Sequence, residues 1–447
     1  MMRVSGYKAA ALLGMVSVAL VALPGCGAFK PKGKKPATMG ERVSVLDFER
    51  QVEAEAELQG VDVILPAAHV NADWTQPAGN ASGNLGHVVL SDNPQRLWSA
   101  KIGKGSSSTA KLNATPVIAE NRLFTIDTTG LVSAFDASTG RALWRHAIVV
   151  KGEGTNPAFG GGVSAMGGRV FATTGFGLVV ALDAATGTQA WQVKLPTPLR
   201  AAPAVDSGRV FVTSQDGQLT ALSADTGEQL WEATATVEPA AILGPGSPSI
   251  ALDTVVAGFP SGELFALRVE NGRTAWQDQL SRTGRTTALG ALSGIASSPV
   301  IDRGRVFAIG HGGRMVALEL ATGQRVWERE FAGVNTPWPA GDWVFAVTVE
   351  AQLVAVSRTD GKIRWVSDMG RWKNAKSKKG AVEWYGPILA GNHLILLSSL
   401  GQMAFVSPLN GQIQSSRKLG NDAYLPPVVA NNILYVLTDD GTVTAYR

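Results

Sequence analysis

LVSAFDASTGRALW, residues 131–144, is the stretch that decides the fold, because it returns along the chain at regular intervals. Its clear copies are LVVALDAATGTQAW (178–191), LTALSADTGEQLW (219–231), LFALRVENGRTAW (264–276), MVALELATGQRVW (315–327) and LVAVSRTDGKIRW (353–365), and two weaker copies are MAFVSPLNGQI (403–413) and VTAYR (443–447). The tryptophans that mark a period of 38–51 residues are Trp98, Trp144, Trp191, Trp231, Trp276, Trp327 and Trp365. One unit per period is the spacing of a four-stranded propeller blade.

The unit itself predicts strands joined by tight turns. Apolar and polar residues alternate with period two on both sides of the turn, and no stretch keeps a helical period. Within the turn, Gly140 can take a positive φ, while Asp136 or Thr139 hydrogen-bonds the turn backbone. The indole that follows is expected to pack between neighbouring blades, where its loss would cost roughly 3–5 kcal/mol.

The two ends of the chain predict how the ring closes. The last copy stops at Ala445-Tyr446-Arg447, before any strand that carries a tryptophan, whereas Leu97-Trp98-Ser99 stands before the first copy without a unit of its own. Pairing these two segments completes one blade and leaves no open sheet edge there. We therefore predict an all-β fold: an eight-bladed propeller of four-stranded antiparallel blades over residues 97–447, closed by its N-terminal and C-terminal strands.

Residues 1–25 have the features of a secretory signal peptide, with positive charge at the start and an unbroken small or apolar run over residues 9–22. The ending Leu23-Pro24-Gly25-Cys26 resembles the bacterial lipobox, in which the cysteine becomes the lipid-modified first residue of the mature protein. Cys26 is the single cysteine of the chain and the predicted lipid attachment site. Gly27 follows where an aspartate would favour the inner membrane, so the resemblance implies an outer-membrane lipoprotein that faces the periplasm.

Between the lipid site and the propeller we expect two further segments. Residues 26–60 begin with a stretch rich in Pro, Gly and Lys, which predicts a lipidated tether. Apolar residues among many charges, without Gly or Pro, predict a short helix over residues 41–59 at its end. Residues 61–96, which include Asp73-Trp74-Thr75-Gln76, are expected to be an extension packed on the propeller.

Charge and motifs argue against nucleic-acid binding and against catalysis. Six of the 40 Lys and Arg residues lie in residues 1–35, which leaves 34 basic against 36 acidic side chains in the body. The body therefore lacks the basic excess of a nucleic-acid binder. The five histidines are scattered, and neither a nucleophile elbow nor a phosphate loop is present. We expect no catalytic residue, no cofactor and no metal.

One dense basic patch remains in the body, at Arg371–Lys379 (RWKNAKSKK). A solvated loop is the simpler interpretation of such a run. The functional interpretation is a contact for an acidic partner surface or for anionic lipid.

The repeat Ala-Leu-Asp-x-x-Thr-Gly-x-x-x-Trp resembles that of pyrroloquinoline quinone (PQQ) enzymes and their non-enzymatic relatives. Together with the lipobox and the eight units, it makes the chain similar to the BamB family, the propeller lipoproteins of the outer-membrane β-barrel assembly machinery. The resemblance covers residues 97–447. It implies a scaffold without catalysis, which docks on the periplasmic POTRA domains of BamA and assists the folding and insertion of β-barrel proteins, with possible direct contact to unfolded outer-membrane proteins.

The resemblance also implies contact residues. Family members contact BamA through a Leu-Arg pair in the loop before a blade's Pro strand, and Leu199 and Arg200 in TPLRAAP (197–203) match it. Arg200 is expected to pair with a carboxylate while Leu199 fills a small pocket. A second family contact uses aspartates where this chain has Gly294 and Ala296, which puts that contact in doubt. We nominate Ile295 in the same loop, Ser293–Ser298.

Two other functions stay open at this stage. A PQQ-dependent periplasmic dehydrogenase would need a cofactor bed, a metal site and an Asp base, for which the short units leave little room. An envelope propeller that binds glycan or peptide would need exposed aromatic residues on one face. Four tryptophans that cluster in sequence could serve that purpose or could equally belong to the blade cores: Trp338, Trp343, Trp372 and Trp384.

Overall fold

The computed structural model describes residues 52–149, 160–237, 246–281 and 294–447. These residues form eight four-stranded antiparallel sheets and one two-stranded hairpin. The innermost strands of neighbouring sheets contact one another, so the sheets are blades arranged around a common axis. The eight-bladed propeller predicted from the repeat is confirmed.

Strand β1 (Arg96–Lys101) comes first in the chain and lies at the rim of the last blade. Each of blades 1 to 4 then consists of four consecutive strands, ordered from axis to rim. These are β2 (Val117–Ala119), β3 (Arg122–Ile126), β4 (Leu131–Asp136) and β5 (Ala142–Ala147) in blade 1; β6 (Gly161–Met166), β7 (Arg169–Thr174), β8 (Leu178–Asp183) and β9 (Gln189–Lys194) in blade 2; β10 (Ala204–Asp206), β11 (Arg209–Thr213), β12 (Gln218–Ser223) and β13 (Gln229–Thr234) in blade 3; β14 (Ser249–Ala251), β15 (Thr254–Gly258), β16 (Glu263–Arg268) and β17 (Thr274–Gln279) in blade 4.

Blades 5 to 7 follow the same order, and a hairpin is inserted before blade 7. The strands are β18 (Val300–Asp302), β19 (Arg305–Gly310), β20 (Arg314–Glu319) and β21 (Arg325–Arg329) in blade 5; β22 (Trp338–Ala340), β23 (Trp343–Val347), β24 (Gln352–Ser357) and β25 (Ile363–Asp368) in blade 6; β26 (Trp372–Asn374) and β27 (Lys379–Ala381) in the hairpin; β28 (Trp384–Ala390), β29 (His393–Ser398), β30 (Gln402–Val406) and β31 (Ile413–Lys418) in blade 7.

Blade 8 is built from both ends of the chain. From the axis outward it contains β32 (Val428–Ala430), β33 (Ile433–Thr438), β34 (Thr442–Tyr446) and finally β1. Trp98 in β1 pairs with Ala445 in β34, and the backbones of Gln95 and Arg447 exchange two hydrogen bonds of 2.7 and 2.8 Å. The predicted pairing of the N-terminal and C-terminal strands is therefore confirmed.

The up-and-down course of the strands gives the disc two different faces. The turn face carries the turns from first to second and from third to fourth strand of each blade. The link face carries the turns between second and third strands and the links from the rim strand of one blade to the axis strand of the next. The middle strands of every blade are buried on both sides and form the core.

Seven of the eight blade interfaces use one repeated contact between an indole and a glycine turn. Trp98 in β1 lies on Gly140 of the next blade, and its Nε1 donates to the carbonyl of Ala137 at 3.2 Å. Gly140 has φ +74°, and a Cβ there would lie 2.5 Å from the Trp98 ring. The other tryptophans that donate in the same way to the next blade are Trp144, Trp191, Trp231, Trp276, Trp327 and Trp365.

The eighth interface, between blades 7 and 8, differs because blade 8 has chain ends where the others have that turn. Ser415 stands in β31 at the tryptophan position. Arg417, two residues further on, replaces the indole: Nη1 donates to the Pro94 carbonyl at 2.6 Å, and the guanidinium lies 5.5 Å from the Tyr446 ring centroid. An arginine thus joins the two chain ends to the neighbouring blade.

The segment before β1 runs across the turn face and shows little helix. Residues 41–51 of the helix predicted over 41–59 lie outside the described residues, and in the remainder one 3-10 turn forms, Ala56–Leu58. The helix prediction is wrong for this part because the Glu55 amide donates to Ile363 of β25 at 2.8 Å, which diverts the backbone from helical pairing. No helix in the described ranges is long and apolar enough to cross a membrane.

The indole contact predicts a large stability cost for Trp276→Ala. Trp276 is 7% exposed, and its Nε1 donates to Leu320 of blade 5 at 2.7 Å. Removing it leaves a cavity and an unpaired carbonyl, so we expect the free energy of unfolding to fall by about 3–5 kcal/mol. Urea unfolding followed by circular dichroism measures this. Trp372→Ala, on the exposed hairpin, is the control and should lower the free energy of unfolding by less than about 1 kcal/mol. Equal losses in both variants would contradict a stabilising role of the contact between indole and glycine turn.

Ring closure is predicted to weaken in acid through Asp440. Burial alone would raise the pKa of Asp440, but hydrogen bonds from Lys101 of β1 and from Thr438 and Thr442 outweigh it and lower the pKa to about 2. A carboxyl with a depressed folded-state pKa stabilises the fold above its unfolded-state value and loses this contribution as the pH falls toward 2. Because the side chain is one-third exposed, we expect a loss of only about 1 kcal/mol between pH 4 and pH 2.

Asp440→Asn should remove this component of the acid-induced loss, as measured by unfolding at a series of pH values. Asp225→Asn, at an exposed ion pair with Arg169, is the matched control and should keep the wild-type slope. An unchanged slope in Asp440→Asn would show that this carboxylate does not contribute.

Candidate functional site

The link face is the candidate interaction site, because every residue that the sequence nominated for partner contact and that the structure describes lies on it. Six of its eight links end in a proline directly before the axis strand, and a seventh proline, Pro387, lies within the axis strand β28. Proline has no amide hydrogen to leave unpaired at that edge. These prolines are Pro116, Pro203, Pro248, Pro299, Pro337, Pro387 and Pro427. Hydroxyl groups of neighbouring blades hold the link ends: Ser164 donates to Pro203 at 2.6 Å and Ser249 to Pro299 at 2.6 Å.

Leu199 lies in the link between blades 2 and 3 and is fully buried. Its exposure is 0%, it packs in the core shared by these two blades, and its backbone forms a bridge with Ser214. The expectation that Leu199 fills a pocket on a partner is therefore wrong for this structure, because the side chain already fills one in its own fold. Leu199 anchors the link instead.

Arg200, the next residue, is partly buried at the surface of the same link. Its Nε and Nη2 donate to Oε1 of Gln215 at 3.0 and 2.5 Å, and its carbonyl accepts from Asn113 Nδ2 at 3.3 Å. Burial lowers the pKa of Arg200 from its ordinary value. The guanidinium is thus held in a fixed position on the link face, where a partner carboxylate could compete with the neutral Gln215 amide.

Ile295 lies in the link between blades 4 and 5 and is also buried, at 1% exposure. Its amide donates to Phe259 at 3.1 Å, and a Cβ on Gly258 would lie 2.5 Å from its Cγ2. As a direct contact Ile295 is therefore wrong for the same reason as Leu199. Ser293 lies outside the described residues, and Gly294 and Ala296 bring no charge to this link. The structure does not bring Ile295 together with Arg200, since two blades separate their links.

The basic run Arg371–Lys379 belongs to the hairpin of β26 and β27, which protrudes from the link between blades 6 and 7. Four exposed lysines follow Trp372: Lys373, Lys376, Lys378 and Lys379. Arg371 forms an ion pair with Glu350, and its guanidinium lies 5.1 Å from the Trp372 ring centroid. The hairpin places a positive charge next to an aromatic ring on the same face as Arg200.

The aromatic cluster that would support glycan binding does not form. Trp338, Trp343 and Trp384 are 2%, 5% and 7% exposed and pack in the blade cores, and only Trp372 of the four is partly accessible. The suggestion that these four rings form an exposed platform is wrong, because three of them complete the cores of blades 6 and 7.

The predicted lipid attachment site, Cys26, lies outside the described residues. Among the described residues no group of three or more His, Cys, Asp or Glu side chains comes together as a metal site.

Sequence reasoning missed the contacts that residues 69–91 make at the propeller axis on the turn face. Trp74 is 1% exposed and stacks on Trp338 of blade 6 with 5.8 Å between ring centroids. Gln76 exchanges hydrogen bonds of 2.7 and 3.3 Å with the backbone of Val205 in blade 3. The one signal available was Trp74 and Gln76 themselves, which stand outside any repeat unit.

Comparison with known proteins gives a consistent family. The sequence model of the family described as "Outer membrane protein assembly factor BamB" matches residues 128–367. The protein of that name from Escherichia coli (strain K12) is 30% identical over 354 residues, which cover 78% of this chain and 88% of the relative. The protein of that name from Alkalilimnicola ehrlichii is 34% identical over 354 residues, 79% of this chain and 88% of the relative.

Solved structures with the same fold include a BamB and a quinohemoprotein alcohol dehydrogenase. BamB from Moraxella catarrhalis matches with a TM-score of 0.64 at 19% identity, covering 79% of this chain and 98% of that chain. Quinohemoprotein alcohol dehydrogenase from Comamonas testosteroni matches with a TM-score of 0.65 at 14% identity, covering 85% and 81%. At these identities the likeness shows the fold alone.

The burial of Leu199 predicts that its truncation acts on stability. Leu199→Ala should lower the free energy of unfolding by about 2–5 kcal/mol, the range for buried leucines. Val237→Ala, at a 61% exposed position on the same face, is the control and should change it by less than about 0.5 kcal/mol. Urea unfolding of both variants checks this. A Leu199→Ala variant as stable as wild type would contradict the anchoring role and favour a surface contact.

Proposed function

Because this chain belongs to the BamB family of outer membrane protein assembly factors, we propose that it is a non-catalytic scaffold of the outer-membrane β-barrel assembly machinery. The observation that carries the proposal is the family match, which extends over most of the propeller rather than over a single blade. The likeness to the dehydrogenase, at 14% identity, is a likeness of fold alone.

The link face is the docking surface in this proposal. The axis region of the turn face is occupied by residues 69–91 of the chain itself, so a partner of any size meets a surface that is already covered there. The link face instead presents Arg200, the basic hairpin and single exposed apolar residues such as Val149, Val237 and Val334. A polar surface with a few apolar contacts is typical of a non-obligate protein interface.

The partner in this proposal is BamA, bound through its POTRA domains. Arg200 exchanges its Gln215 partner for a carboxylate of BamA, and the basic hairpin adds a second, electrostatic contact. Leu199 and Ile295 are buried beneath this surface and hold their links in a fixed conformation. Unfolded outer-membrane proteins are a further proposed ligand, since the rim strands leave backbone groups free for β-augmentation.

The proposed location is the periplasmic side of the outer membrane, with Cys26 lipidated. Attachment to the membrane through a lipid keeps the protein close to membrane-embedded partners and raises their effective concentration.

Affinity purification of the tagged lipoprotein from detergent-solubilised native membranes tests the proposal. We expect BamA to co-purify with the wild-type protein and to fall about tenfold with Arg200→Glu, a change of about 1.4 kcal/mol from one reversed charge at the contact. Arg141→Glu, at an exposed position on the turn face, is the matched control and should keep the partner.

Loss of BamA with both variants would show a nonspecific charge effect, and retention with both would exclude Arg200 from the contact. If no protein with POTRA domains co-purifies with the wild-type protein, the proposed scaffold function itself is overturned.

A further inference from the structure

The axis strand of each blade has one equivalent residue whose backbone groups face the channel on the turn-face side. The register of the first two strands identifies this position, for example by the pairing of Ile118 with Leu123. The eight residues are Ile118, Ala165, Val205, Ile250, Ile301, Pro339, Leu389 and Val429. An axis strand has no neighbouring strand on that side, so these groups need a partner from elsewhere.

Residues 69–91 provide such a partner in seven of the eight blades. The backbones of Trp74 and Ile118 exchange two hydrogen bonds of 2.8 Å. The amides of Ala165, Ile250 and Ile301 donate to the carbonyls of Thr75, Ala81 and Ser82 at 2.7–2.9 Å. The remaining contacts are those of Gln76 with Val205, Val88 with Leu389 and Asn71 with Val429.

In blade 6 a side chain makes the contact with the segment that backbone groups make in the other blades. Pro339 stands at the equivalent position and has no amide hydrogen to donate. The indole of the preceding residue, Trp338, donates instead to the carbonyl of Gly86 at 2.7 Å. The same indole stacks on Trp74, so one side chain both replaces the missing donor and holds the aromatic anchor of the segment.

Most of these contacts are made by backbone groups of the segment and not by its side chains. The acceptors on Thr75, Ala81, Ser82 and Gly86 are all carbonyl oxygens. Side-chain recognition is concentrated in Trp74 and in polar residues such as Gln76 and Asn84, whose Nδ2 donates to Asp302 Oδ1 at 2.8 Å. Peptide recognition at sheet edges in general combines main-chain hydrogen bonds, which give affinity, with side-chain pockets, which give specificity.

We propose that the turn-face end of the channel is a peptide-binding site, and that this chain fills it with its own residues 69–91. The site recognises a peptide by the ring of axis-strand backbone groups and by a slot for one indole against Trp338. The segment is a built-in ligand, separate from the docking surface on the link face.

A cut between the segment and the propeller tests this directly. A protease recognition sequence is inserted after Asp92, which is exposed and follows the last ring contact. After cleavage of the full-length protein we expect the N-terminal fragment to co-elute with the propeller in size-exclusion chromatography. A fragment that separates under native conditions, while the propeller keeps its circular dichroism spectrum, would overturn the proposal.

Two variants and a synthetic peptide separate binding from stability. In the cleaved protein, Trp74→Ala should release the fragment, whereas Trp231→Ala, an equally large truncation at a blade interface, should retain it. A labelled peptide of residues 62–92 should then bind the propeller that has lost its fragment, and the same peptide with Trp74→Ala should bind at least tenfold more weakly.

If Trp74→Ala unfolds the protein, exchange of the labelled peptide into the cleaved wild-type protein gives the same answer without a variant. The proposed site would be contradicted if the labelled peptide did not exchange and both tryptophan variants lost the fragment. Release of the fragment would then follow from general destabilisation.

Discussion

The structure depends on an indole that lies against a glycine in the next blade. The contact needs a turn residue with positive φ and without a Cβ, and Asp-x-x-Thr-Gly supplies it at the interface with the preceding blade. The Trp that follows four residues later makes the same contact with the next blade. One short motif therefore builds both the outer hairpin of a blade and the joint to its neighbour. Where the turn is absent, in blade 8, the indole is absent too, and Arg417 binds the Pro94 carbonyl in its place.

This coupling explains how much of the fold the sequence predicts. A repeat that carries both halves of an interface indicates the number of blades, and the incomplete copies at Leu97-Trp98-Ser99 and Ala445-Tyr446-Arg447 predict the closing blade. The helix over residues 41–59 was a weaker prediction, because it rested on local composition alone. Glu55 uses its amide to pair with Ile363, more than 300 residues away, and no local pattern contains that information.

The candidate site was less predictable for a related reason. An apolar residue just before a Pro strand can either anchor its link or face a partner, and only the packing of two adjacent blades decides between these. Leu199 and Ile295 are anchors, at 0% and 1% exposure. The three tryptophans at positions 338, 343 and 384 likewise turned out to be core, whereas Trp372 lies on the inserted hairpin. Most hydrogen bonds between residues 69–91 and the axis strands involve main-chain groups of those strands, which the side-chain pattern does not reveal.

The segment at the axis and the closing strand at the rim constrain each other through a short connection. Asp92 accepts from Asn392 at the turn between the two axis-side strands of blade 7, whereas Gln95 already pairs with Arg447 in blade 8. Crossing a four-stranded blade requires about 14 Å, and the five residues 91–95 span at most about 17 Å. The smallest register shift of β1 that keeps each side chain on the same side of the sheet is two residues. It would pull about 7 Å of the segment of residues 69–91 away from its axis contacts. The register of ring closure is therefore held both by β34 and by the backbone contacts at the axis.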